Sequence, residues 1–172
     1  MNALADLLTS LNLGEWVNAN DWVWPLGEIL HFVGMALLIG TVGLVDLRIL
    51  GAVKGLPIAA LEKLVPLGVA GFVINMITGF VFVAGNPVGG PLDYLTNLAF
   101  QIKMILVLIA GINLIVFYAA GIARVADGVG PDGDAPRNAK IIAATSLVLW
   151  FAVILFGRLI MYNDTLLYNL GL

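Results

Sequence analysis

Two residues equipped for chemistry, Glu28 and His31, lie inside the apolar stretch 22–51, WVWPLGEILHFVGMALLIGTVGLVDLRILG. His31 is the only histidine of the chain. An imidazole ligates iron or copper and carries protons near neutral pH. In hydrocarbon a carboxylate and an imidazole are each expensive unless something pairs with them or binds them. A spacing of three places both on one helical face, with Gly27 and Gly34 flanking the imidazole on that face. These glycines are read as clearance for a flat group beside His31. Two cations in later apolar stretches, Lys103 and Arg158, are suited to anionic partners, Arg158 through a bidentate fork.

The elements that must position these residues follow from composition. The chain has 172 residues, 61% apolar and 11% charged. Soluble domains carry roughly 45–50% apolar and about 25% charged residues, so an integral membrane protein of one domain, residues 1–172, is expected. A net charge of −3 excludes the concentrated basic surface that nucleic-acid binding needs. With no cysteine there is no disulfide, iron–sulfur cluster or thiol nucleophile. No Walker loop, zinc spacing or Ser–His–Asp set is present.

About 20 apolar residues cross ~30 Å of hydrocarbon. Spans are expected at about 23–47, 64–84, 98–122 and 141–161, with Asp46 and Arg48 as polar interface residues at the first exit. The fold class is therefore all-α, an up-down four-helix membrane bundle. Residues 1–21 lack the basic start of a signal peptide and read as an interfacial segment. Leu4, Leu7, Leu8 and Leu11 line one side of its short helix, and Trp16, Trp22 and Trp24 mark the headgroup level. The loop 123–140, ARVADGVGPDGDAPRNAK, is too rich in Gly, Pro and Asp for a packed helix. Basic residues Arg48, Lys54 and Lys63 fall between the first two spans, and Arg124, Arg137 and Lys140 between the last two. The positive-inside rule then places both termini outside a bacterial inner membrane.

Depth brings the chemistry together. At 1.5 Å per residue, His31 lies roughly 9–13 Å below the outer end of its span and Lys103 about 8 Å. Glu28 and Arg158 share that outer half. The expected reading is a haem b site, with His31 as axial iron ligand and Gly27 and Gly34 giving room. Lys103 and Arg158 would meet the propionates, and Glu28 would orient His31 or pair with Lys103. Iron would be five-coordinate, capped by Met76 or Met104, or shared between two His31 residues in a homodimer. The bland alternatives are a core histidine hydrogen-bonded across helices, snorkelling cations, and Asn75, Thr78 and Asn113 as hydrogen-bond glue between helices. Two other functions stay open: a cofactor-free subunit or proton-handling bundle using Glu28, His31 and Lys103, and a lipid or quinone site near His31. Glu28-x-x-His31 also matches half of a carboxylate di-iron motif, but the motif occurs once and no other deep carboxylate is expected.

The combination Glu28-x-x-His31, Asp46-Leu-Arg48-x-Leu-Gly51, Lys103 early in the third span and Gly157-Arg158-x-Ile160 closing the fourth resembles an uncharacterised family of small bacterial four-helix membrane proteins. The resemblance covers essentially the whole chain and implies topology rather than activity. More distantly, the layout is similar to the four-helix membrane protoporphyrinogen oxidase family, which binds haem b and depends on a histidine in an early helix and a lysine in a later one. His31 and Lys103 occupy the matching places, so this resemblance implies haem b, a redox partner and a role for both residues. It is also similar to the copper-resistance D-type membrane domain, which implies a metal role for His31.

Overall fold

The computed structural model describes residues 2–171, which form helices and turns with no strand among them. In chain order the helices are α1 (Asn2–Thr9), α2 (Leu13–Asn18), α3 (Val23–Leu50), α4 (Ile58–Glu62), α5 (Val65–Ala84), α6 (Gly90–Thr96), α7 (Leu98–Ala119), α8 (Ile122–Asp127), α9 (Arg137–Leu159) and, after a short 3₁₀ turn, α10 (Asn163–Leu170). Four stretches are long and apolar enough to cross a membrane: Val23–Leu50, Ile58–Ala84, Leu98–Ala119 and Arg137–Thr165. Even the 20-residue α5 extends about 30 Å.

Local signals set the helix ends. Pro66 occupies the first turn of α5, where its missing N–H has no partner to lose. The Asn97 side chain caps α7 by accepting from Phe100 N, and it also donates to Ile160 O at 3.0 Å, tying the start of α7 to the end of α9. Gly51, at φ +89°, closes α3 in the left-handed conformation that glycine adopts without strain.

α3 runs on to Leu50, three residues beyond the expected exit, and Asp46 and Arg48 are enclosed by protein where exposed interface charges are expected. Both are buried, Arg48 completely. Its guanidinium donates to Leu56 O at 2.6 Å, Pro131 O at 2.7 Å and Gly130 O at 2.8 Å. Gly55 N also donates to Pro131 O, at 3.0 Å, so the segment after α3 and the segment after α8 form one knot. A cation can be buried there because carbonyl oxygens replace its water. The loop expected at 123–140 is likewise not free of packed helix. Ala123 and Ala126 on α8, with Ala135, are small enough to join a core built from Val45, Ile49, Ile58, Leu61 and Phe117.

The long helices pair tightly in one place. A Cβ at Gly34 would lie 2.8 Å from Gly71 O, and one at Gly71 would lie 2.8 Å from Leu38 N, so the backbones of α3 and α5 touch. Small residues allow this close approach, which van der Waals contact then stabilises. α7 packs along α9, and α3 joins the two pairs by lying against α9. α5 and α7 scarcely meet, although only α6 separates them in the chain. A seam is left between them. Outward, the long helices expose Phe32, Ile77, Leu108, Ile115, Val148 and Phe151. At the N-terminus α1 rests on α6 with Leu4, Leu7 and Leu11 exposed, and Trp16 meets Trp22 edge-on at 6.2 Å.

Candidate functional site

His31 is held by α5. Its Nδ1 lies 2.7 Å from Thr78 Oγ1, and Thr78 donates its own hydroxyl proton to Ile74 O at 2.8 Å. The hydroxyl therefore accepts from His31, which fixes the proton on Nδ1 and leaves Nε2 with its lone pair. No described residue hydrogen-bonds Nε2. Phe82 packs against the imidazole with ring centroids 5.4 Å apart, which holds the ring in place.

The imidazole borders a partly open cavity of about 260 Å³ between α3, α5, α7 and α9. Its walls include Phe72, Phe80, Phe100 and Trp150, and the methionines Met35, Met76 and Met104. Lys103 and Asn75 are its other polar residues. Lys103 Nζ has no hydrogen-bond or ion-pair partner among the described residues, and the amine lies over Gly157, where a Cβ would sit 3.5 Å from it. Asn75 Oδ1 is buried and also without a partner. The residues lining the cavity thus include an imidazole with a lone pair on Nε2 and the amine of Lys103.

A second chamber of about 280 Å³ continues from the first, sharing Leu38, Phe72, Val107 and Trp150 with it. Asp46, Ser146 and Asn113 are the polar residues of this part. Asn113 Nδ2 bonds Ile142 O at 3.2 Å and so links α7 to α9. Asp46 is a deep carboxylate that was not expected from the sequence.

Of the residues singled out from sequence, the structure brings His31 and Lys103 to one cavity and leaves the others elsewhere. Gly27 and Gly34 do not provide clearance. A Cβ at Gly27 would lie 3.0 Å from Phe82 Cε1, and the space at Gly34 is filled by Gly71 and Asn75. Both glycines exist to let α5 approach. Glu28 is exposed and accepts from Trp24 Nε1 at 3.2 Å instead of reaching His31. Arg158 is exposed, with its guanidinium 3.5 Å from Met161 Sδ and over the Tyr162 ring. Thr78 has the expected role of hydrogen-bonding between helices, with His31 itself as its partner; Asn75, expected as glue, and Gly157, expected only as a motif residue, also border or adjoin the site. Their polar or small side chains at mid-helix were the available signal.

The fold and site define an all-helical chain whose four long apolar helices enclose a divided apolar cleft with an imidazole at one end and a carboxylate at the other. Compared with known protein families, characterised proteins and solved structures, the chain matches none.

Proposed function

We propose that this chain is a four-span, up-down protein of a bacterial inner membrane that holds haem b in the cleft on His31 Nε2 and serves electron transfer or porphyrin-linked redox chemistry. The observation that carries the reading is the hydrogen bond from His31 Nδ1 to Thr78. Histidines that ligate metals donate their other N–H to a fixed acceptor, which sets the tautomer and raises the basicity of the ligating nitrogen. His31 already has that arrangement, beside a cavity with aromatic walls. Lys103 supplies an ammonium with no protein partner and suits a propionate in low dielectric. Met76 and Met104 border the same cavity and offer thioether sulfur. Bound haem would supply a one-electron couple. Glu28, Arg158, Gly27 and Gly34 have no part in this reading.

The membrane placement rests on the four apolar helices and on their exposed apolar faces. Lys54, Lys63, Arg124, Arg137 and Lys140 belong to the end that carries the Arg48 knot, so that end is assigned to the cytoplasm and both termini to the outside.

A second reading, a quinone or similar lipid in the same cleft, is favoured by the seam between α5 and α7. His31 Nε2 would accept a hydrogen bond from the head group and Lys103 would donate one. A cofactor-free relay is less well supported, because Glu28 points to Trp24 and away from His31.

The test is a reduced-minus-oxidised spectrum of the full chain purified from cells grown with ample haem. A Soret band that His31→Ala abolishes is expected. Colourless protein, or a band that survives His31→Ala, overturns the haem reading; a quinone in the organic extract of the colourless protein would select the second.

A further inference from the structure

The far chamber is bordered by a buried acid, Asp46, that has no cationic partner among the described residues. Asp46 is only 7% exposed, Ser146 hydrogen-bonds its carboxylate, and Oδ2 has no partner among the described residues. The nearest cation along the helix, Arg48, lies two residues on and is engaged with the carbonyls of Leu56, Gly130 and Pro131. A buried carboxylate without a counter-charge is costly and exerts its field on whatever fills the adjoining space. That space is the chamber of about 280 Å³, bordered by four aromatic residues, Phe72, Phe117, Tyr118 and Trp150.

We propose that this chamber binds a lipophilic organic cation, an alkyl- or arylammonium, with Asp46 as its counter-charge and the aromatic rings as its walls. The face of an aromatic ring attracts a cation through its quadrupole, and the attraction strengthens when water is excluded. A metal ion fits poorly: among the described residues no cluster of three or more His, Cys, Asp or Glu could hold one. A hard cation would also give up its hydration to walls that are almost wholly apolar. An ammonium bearing hydrocarbon has little hydration to lose and gains the burial of its apolar part. The proposal rests on the membrane placement only for the route of entry, which is the seam between α5 and α7. It does not depend on what His31 holds.

The test uses the full chain purified in an uncharged maltoside detergent. Benzyltrimethylammonium is titrated beside neopentylbenzene, its uncharged isostere, and binding is followed by saturation-transfer NMR. Saturable binding of the cation is expected, tighter than the isostere by about tenfold or more. Asp46→Asn is expected to reduce affinity for the cation about tenfold or more, and Trp150→Leu, which keeps the carboxylate, about threefold. His31→Ala is expected to leave it unchanged, which separates this site from the one proposed for haem. Absence of saturable binding, equal binding of cation and isostere, or an unchanged affinity in Asp46→Asn overturns the proposal. If Asp46→Asn does not fold, the isostere comparison and Trp150→Leu decide it, because neither alters the acid.

Discussion

His31 Nδ1 donates to Thr78 Oγ1 across 2.7 Å, and Thr78 passes its own proton back to α5 at Ile74 O. The bond crosses between α3 and α5 and selects a single tautomer for the only imidazole in the protein. Removing the acceptor without altering shape is therefore informative. Thr78→Val is expected to destabilise the protein by about 1–3 kcal/mol, because a buried N–H is left unsatisfied. It is also expected to shift or weaken any absorption that depends on His31. Thr78→Ser keeps the acceptor and should restore both, as thermal midpoints and spectra of the two variants will report.

Arg48 offers a second check. Its guanidinium serves four carbonyls, those of Leu56, Gly130, Pro131 and Gly133, from two segments that are far apart in sequence. Arg48→Met leaves those acceptors buried, and a loss of at least about 3 kcal/mol is expected. Arg48→Lys should recover little of it, because one ammonium cannot reproduce the planar fork. Limited proteolysis in the segment around Gly130 should accelerate in both variants.

The contact of α3 with α5 predicts a contrast between two glycines. Gly71→Ala drives a Cβ toward the Leu38 backbone and should cost about 1–3 kcal/mol by forcing the helices apart. Gly40 has nothing within 4 Å of the same position. Gly40→Ala should be neutral or raise the thermal midpoint slightly, since alanine is the better helix former. Equal effects at the two sites would contradict the packing.

The loop beyond α8 carries a pH signature. Lys140, by hydrogen bond and charge, and then Lys54 hold the exposed Asp134 carboxyl below the usual carboxylate range. A depressed value means the stabilisation is present above the unfolded value near ~3.9 and is lost as pH falls through the folded one. Asp134→Asn should thus lower the thermal midpoint slightly at pH 7. The difference should shrink in about 1 M salt and vanish in strong acid.

Much of the architecture was legible because hydrocarbon-scale apolar runs are long and leave few alternatives. The starts at Val23 and Leu98 and the end at Ala84 fall where the apolar pattern puts them. The burial of Arg48 was not legible because it looks like a surface charge until its acceptors, three of them more than eighty positions away, are known. Depth along separate helices correctly suggested that His31 and Lys103 would share a space. Helical face alone misplaced Glu28, since two residues on one face can send their tips to different neighbours. Gly27 and Gly34 failed for another reason. A small residue carries the same sequence signature whether it makes room for a ligand or for a second backbone.

The loose junction of α5 with α7 has a consequence for how the interior is reached. With α3 closed on α9 along the opposite side, the two helix pairs resemble the leaves of a book standing slightly ajar at its fore-edge. Set in a bilayer as proposed, a ligand of the cleft would arrive sideways out of oil. Its occupancy then answers to how strongly it partitions into lipid rather than to its concentration in water, and a change of lipid composition becomes a change of ligand supply.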